Sequence, residues 1–260
     1  MLANSRFRKS SPLLVVTDLD GTLLDHHDYN FAATLPILAR LKKASVPLVI
    51  NTSKTRSEWL AMRSSFSNDD AFVIENGSAV VFPDGEKEVF GAPKNDLFDT
   101  LAEFRPLYHF RGFEELGLSG VIQHTGLSAE EAKRASTREF SEPLLWEDSK
   151  ENETRFCEEI CARGYQTHRG GRFLHVQGCT DKGRALPLLR DFYQADTTIA
   201  LGDSPNDLAM IEQADIGVLI SSPTSPRLEA PNAKRLIRTE LQGPEGWAAA
   251  MTTLLDELSI

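Results

Sequence analysis

The sequence predicts an α/β fold: a parallel sheet with helices on its faces, interrupted by an inserted α+β module. Three observations lead there. Short β-branched apolar runs alternate with helical stretches near both ends of the chain. Three of those runs stop in polar loops rich in Asp, Asn, Ser and Gly. Between residues 86 and 175 the alternation gives way to short amphipathic pieces. With 260 residues there is room for one large domain or two modest ones. The expected division is a core of residues 1–85 and 176–260 around an insert of 86–175.

The first strand is LLVV at 13–16, flanked by Pro12 and ending in Thr17-Asp18-Leu19-Asp20-Gly21-Thr22. A helix over 34–44 follows, with Thr34 as N-cap, Pro36 tolerated in the first turn, and Leu35, Leu38 and Leu41 facing inward. VPLVI at 46–50 is the second strand and runs into Asn51-Thr52-Ser53. A helix over 55–65 and a strand at 72–74 come next, the latter ending in Glu75-Asn76-Gly77. The pattern resumes with a helix over 181–193, opened by Lys182, and a strand at 197–201 that ends in Gly202-Asp203-Ser204. A helix over 205–213, a strand at 216–220 and a helix over 244–258 complete the core. The insert shows a helical stretch near 149–163 and alternation in RFLHV at 172–176, where His175 reads as a packed residue.

Composition narrows the function. Twenty-eight Lys and Arg stand against 38 Asp and Glu, a net charge of −10, and no basic run exceeds two residues. Such a surface repels phosphate backbones, so nucleic acid is not an expected partner. Cys157, Cys161 and Cys179 form no disulfide framework and fit a reducing compartment. Cys157 and Cys161 are four apart on a helical stretch, but no nearby pair completes a metal set, so they read as helix-face residues. No apolar run approaches the roughly 20 residues of a membrane span. The basic start MLANSRFRKSSP precedes too short an apolar burst for secretion. The expected location is the cytoplasm.

In an open α/β sheet ligands gather beyond the carboxyl ends of the strands. The loops DLDGT (18–22), NTS (51–53) and GDSPND (202–207) should therefore meet in one crevice. Asp18, Asp20, Asp203 and Asp207 would converge there. Two like charges about 4 Å apart cost about 4 kcal/mol at a surface-like dielectric, so four call for a cation or a shared proton. All-oxygen donors favour Mg²⁺ over zinc. In an extended segment Asp18 and Asp20 point the same way, which suits a nucleophile and an acid/base acting on opposite ends of one group. Thr52 can donate its hydroxyl to a phosphoryl oxygen, and Lys182 can place a positive charge beside Asp18. GDSPND also reads as a plain helix start, with Ser204 as N-cap, Pro205 at N1 and Asp207 at N3.

Taken in order, DLDGTLL, Thr52, Lys182 and GDSPND resemble the haloacid dehalogenase-like phosphohydrolase superfamily. NTSKT at 51–55, ENG at 75–77, REFSEP at 138–143, GGRF at 170–173 and LGDSPND at 201–207 further resemble the mannosyl-3-phosphoglycerate phosphatase family, a Cof-like branch. The resemblance implies a Rossmann-like core with an inserted cap that closes over the site and reads the leaving group. It implies Asp18 as the nucleophile that becomes an aspartyl-phosphate, and Asp20 as the acid/base. Mg²⁺ would bind the Asp18 and Asp203 carboxylates and the Asp20 carbonyl, with Asp207 holding a metal-bound water and orienting Lys182. Thr52, Ser53 and Lys182 would grip the phosphoryl oxygens, and Asn206 would touch the phosphoryl group or the metal shell.

A phosphoglycerate substrate carries a carboxylate besides its phosphate, so the cap should offer a second cationic or N–H-rich contact. Arg138, Arg172 and the Gly170-Gly171 backbone are the candidates, with Lys54 near the entrance; surface charges and a plain turn are the alternative readings. The expected activity is hydrolysis of mannosyl-3-phosphoglycerate or a similar sugar phosphate. Two other readings stay open: a sugar phosphomutase, and a non-enzymatic Mg²⁺-binding phospho-acceptor. No GxxxxGK[ST] or GxGxxG is present, which disfavours P-loop and dinucleotide enzymes.

Overall fold

A computed structural model describes residues 11–170, 172–222 and 228–260. In chain order the first elements are β1 (Leu13–Thr17), α1 (Leu35–Lys43), β2 (Leu48–Asn51), α2 (Arg56–Met62), β3 (Phe72–Ile74), β4 (Ala79–Val81) and β5 (Lys87–Val89). Then come α3 (Lys94–Phe104), β6 (Phe110–Gly112), α4 (Phe113–Thr125), α5 (Ala129–Ala135), β7 (Ser141–Trp146), α6 (Lys150–Ala162), β8 (Tyr165–Gly170) and β9 (Phe173–Gly178). The chain finishes with α7 (Leu186–Tyr193), β10 (Thr197–Gly202), α8 (Leu208–Gln213), β11 (Ile216–Ser221), β12 (Leu236–Gln242) and α9 (Gly243–Glu257).

The chain divides into two compact units. The first takes the described residues of Met1–Thr52, Phe66–Glu88 and Asp181–Ile260; the second takes Ser53–Ser65 and Val89–Thr180. The segment Ser53–Ser65 packs with Val89–Thr180 in the second unit. The hydroxyl of Thr55 donates to the Arg134 carbonyl at 2.9 Å, which ties the start of α2 to the end of α5.

The first unit is built on a sheet of order β12-β11-β10-β1-β2-β3-β4-β5. From β12 to β3 the neighbours run parallel, and β4 turns back antiparallel on β3. Every residue of β1 is buried, as a central strand covered on both faces requires. Register places Thr17 opposite Leu201 and Ile50, so β1, β2 and β10 end side by side. Trp247 of α9 is fully buried and donates its indole N–H to the Thr17 hydroxyl at 3.1 Å.

Several local expectations change. Leu35 is exposed and Leu38 half-buried, and α1 buries Ile37 together with the expected Leu41. Thr34 precedes α1, yet its hydroxyl donates to the Phe31 carbonyl and caps nothing. The helix expected to begin at Lys182 begins at Leu186, leaving Lys182 in a turn. Pro187 is the reason: it has no N–H to give, which is tolerated only in a first turn. The strand β12 and the hairpin β4–β5 carry no expectation above.

In the second unit the antiparallel sheet has the order β6-β7-β9-β8. One side of it packs Leu144, Leu174 and Val176 against Leu97, Leu101, Phe156 and Ile160 of α3 and α6. On the other side Phe173 packs with Phe113, Leu116 and Val121 of α4 and Ala132 and Ala135 of α5. Cys157, Cys161 and Cys179 are free thiols. No helix among the described residues is long and apolar enough to cross a membrane.

Candidate active site

The site lies in the first unit, at the carboxyl ends of β1, β2 and β10. The backbone N–H of Asp18 still donates to the Leu201 carbonyl at 2.8 Å, so the nucleophile candidate is locked to the sheet just where β1 stops. Leu19 is already in a turn and Asp20 forms an isolated bridge with Leu24. This departs from the extended segment expected to align Asp18 with Asp20.

Lys182 organises the carboxylates. Its ammonium group donates to Asp18 Oδ1 at 2.5 Å and to Asp207 Oδ1 at 2.6 Å, and all three side chains are buried. Its own carbonyl accepts from the Asn51 amide at 2.7 Å, which anchors the turn from β2. The other oxygen of Asp207 accepts from the N–H of Asp203 at 3.1 Å and the N–H of Ser204 at 3.0 Å, and it shares the one Ser204 hydroxyl proton with Asn206 Oδ1. The plain helix-start reading of GDSPND is thus present too: Ser204 and Asp207 close a reciprocal cap over Pro205–Asp207. Gly202 permits it, because a Cβ there would lie 2.3 Å from that of Asp207.

Asp18, Asp203 and Asp207 can present carboxylate oxygens within 4.8 Å of one another, while Asp20 is outside that group. Of the four carboxylates expected to converge, these three can share one ion, and the Asp20 charge also acts on Asp18. Burial is the main reason the Asp18 carboxyl is held well above the usual range, against the pull of Lys182, with Asp207 and Asp203 adding repulsion. Burial and the Asp207 charge push Asp203 up to about 6, although the Thr22 hydroxyl donates to it at 3.2 Å. Burial alone would lower Lys182, but attraction to Asp18 and Asp207 outweighs it and the amine is raised. One buried cation among three buried carboxylates leaves an excess of negative charge. All-oxygen donors with that excess fit a hard divalent cation.

Thr52 is buried and its N–H donates to the Val73 carbonyl at 3.0 Å. The Asn206 carboxamide donates to Asn76 Oδ1 at 2.9 Å and accepts from the Ser204 hydroxyl. Ser53 and Lys54 fall in the second unit. There Arg138 donates to the Ser141 hydroxyl at 2.8 Å and to the Ser53 carbonyl at 3.4 Å. Arg172 is exposed and donates to the His124 carbonyl at 3.0 Å, so the two arginines are held by different partners. Gly170 ends β8, against the ring of His175; Gly171 lies outside the described residues. His175 stacks on His168 with centroids 4.8 Å apart, and burial keeps it well below its usual range. Asn51 and Asn76 carry no role in the sequence reading; the Asn-Gly pair at 76–77, a left-handed turn signal, is the available clue for the latter.

Residues 15–153 and 145–230 match the model of the haloacid dehalogenase-like hydrolases, and the chain belongs to that family. It is 32% identical over 267 aligned residues to the glucosyl-3-phosphoglycerate/mannosyl-3-phosphoglycerate phosphatase of Persephonella marina, covering 95% of this chain and 98% of the relative. A protein of the same name from Methanococcoides burtonii is 34% identical over 268 residues, with 93% and 97% covered. With these relatives the chain falls within the mannosyl-3-phosphoglycerate phosphatase family, and it is an enzyme, a phosphatase. The fold is also that of a haloacid dehalogenase-like hydrolase from Bacteroides thetaiotaomicron, at a TM-score of 0.72, 18% identity, and coverage of 94% of this chain and 100% of that one.

Proposed function

We propose that the protein is a Mg²⁺-dependent phosphomonoesterase that releases phosphate from mannosyl-3-phosphoglycerate or a similar sugar phosphate. The observation that carries the chemistry is the Lys182 ammonium bridging Asp18 and Asp207 in a buried acidic cluster. Asp18 attacks phosphorus, and the bond from phosphorus to the sugar-side oxygen breaks as an aspartyl-phosphate forms. Asp20 gives its proton to the departing alkoxide, then takes one from the water that attacks the aspartyl-phosphate and frees inorganic phosphate. Lys182, Thr52, Ser53 and Asn206 hold the phosphoryl oxygens, supplying the positioning and charge compensation on which phosphoryl transfer depends. The carboxylates of Asp18 and Asp203 and the Asp20 carbonyl would hold Mg²⁺, with Asp207 reaching it through water. When bound, the ion neutralises charge on the nucleophile and the phosphoryl oxygens.

The substrate class rests on the relatives, whose names specify glucosyl- and mannosyl-3-phosphoglycerate. We assign recognition of the sugar and glycerate to the second unit as a cap, with Lys54, Arg138, Gly170, Gly171 and Arg172 as its candidate contacts. Three free thiols fit action in the cytoplasm. Phosphate release from a panel of phosphomonoesters, including both phosphoglycerates, with Mg²⁺ or with chelator, tests the reading. Release should require the metal and should vanish in Asp18→Asn; an active Asp18→Asn enzyme would remove Asp18 as nucleophile. Equal cleavage of a substrate lacking the glycerate carboxylate would remove Arg138 and Arg172 as its readers.

A further inference from the structure

We infer that Asn76 is a positioning residue for Asn206, acting from a strained turn that braces three of the loops around the site; the inference rests on the phosphatase reading above. The turn follows β3. Glu75, Asn76 and Gly77 are all left-handed, with φ of 46°, 55° and 90°. Such runs persist only where the surroundings over-determine them, and they concentrate at functional sites. Here the surroundings are the site's own loops. The Asn76 N–H donates to the Thr52 carbonyl at 3.0 Å. Gly77 lies against the backbone beside Lys182, so close that a Cβ there would sit 1.9 Å from the Asp181 carbonyl oxygen. Asn76 Oδ1 accepts from Asn206 Nδ2 at 2.9 Å.

The last contact has chemical content. A carboxamide has a donor end and an acceptor end, and only the donor end favours a phosphoryl oxygen. Asn76 Oδ1 receives Nδ2, and the Ser204 hydroxyl, whose one proton is shared between Asn206 Oδ1 and Asp207, lies at the other end, so Asn76 is the contact that sets the orientation. Turning the amide over would set two oxygens against each other at Asn76. Asparagine suits position 76 because it tolerates the left-handed region while offering that acceptor. Thr52, Lys182 and Asn206 come from three distant stretches of chain, and this one turn touches or bonds each stretch.

Asn76→Gly is the informative variant, since glycine keeps the left-handed backbone at no steric cost and removes the side chain that carries the acceptor. With para-nitrophenyl phosphate as probe, kcat should fall about tenfold while KM stays within about twofold. Asn206→Ala should be at least as slow, and Asn76→Gly/Asn206→Ala should match Asn206→Ala within about twofold, because the two residues act as one. In ¹⁵N–¹H spectra the Asn206 side-chain amide should move toward free-amide positions in Asn76→Gly. Multiplicative losses in the double variant, or an unmoved Asn206 amide, would overturn the inference. The spectrum needs no turnover, so it separates this inference from the phosphatase reading, which falls instead if the unaltered enzyme releases no phosphate.

Discussion

Among the described residues Lys182 is the one buried lysine or arginine, and two carboxylates hold it there. Removing one member of a buried pair leaves the rest uncompensated, at about 3–5 kcal/mol. Lys182→Ala should therefore lower stability in urea titrations by about that amount and abolish turnover. Asp18 behaves oppositely. Its raised carboxyl means that the fold favours the neutral form over the charged one. Without metal at pH 7, Asp18→Asn should keep or raise the melting temperature, by about 2–4 °C per kcal/mol gained, while activity falls at least about a thousandfold. A destabilised Asp18→Asn would show that its bond to Lys182 outweighs burial. At this scale the acidic residues were legible because DLDGT and GDSPND are local patterns. The Asn76–Asn206 pair was not, since neither residue's partner can be read within its own loop.

At the scale of elements, Asp215 joins α8 to β10. Its carboxylate accepts from the N–H and hydroxyl of Thr198, both at 2.9 Å, and pairs with Arg190 at 3.1 Å and Lys234 at 2.8 Å. Burial works against it, but these partners win and bring it down to about 2. A carboxyl lowered on folding stabilises above its unfolded value near 4 and loses that contribution as pH falls toward 2. Asp215→Asn should thus cost about 1 kcal/mol at pH 7, after screening at a partly exposed site, and almost nothing at pH 2. Chemical denaturation at the two pH values checks it. The capping box of Thr55 and Glu58 at the start of α2 is a second case. Thr55→Ala should cost about 1 kcal/mol in the same measurement. Strands β1, β2, β3, β10 and β11 were readable because buried parallel strands are continuous apolar runs. The strand β12 was not, because its residues are mostly half-buried or exposed and carry no such run.

For the whole molecule, the cluster of Asp18, Asp203 and Asp207 that could hold a cation exists only when β1 and β10 are paired. Binding to the folded state alone stabilises by about 2.7 kcal/mol at a hundred times Kd. Mg²⁺ should therefore raise the melting temperature in a thermal-shift titration, chelator should reverse the rise, and Asp203→Asn should abolish it. No shift at millimolar Mg²⁺ would dissociate the acidic cluster from metal binding. By itself the sequence determined the alternation of strands and helices around β1, β2, β3, β10 and β11 and the polar loops at strand ends, because periodicity and turn chemistry operate over a few residues. Only the tertiary structure decided how closely Lys182 approaches Asp18 and Asp207, that Ser53–Ser65 packs with the second unit, and that Asn76 faces Asn206. Those pairings join residues up to 164 positions apart, and their distances follow from strand register and close packing, which no single stretch of chain encodes.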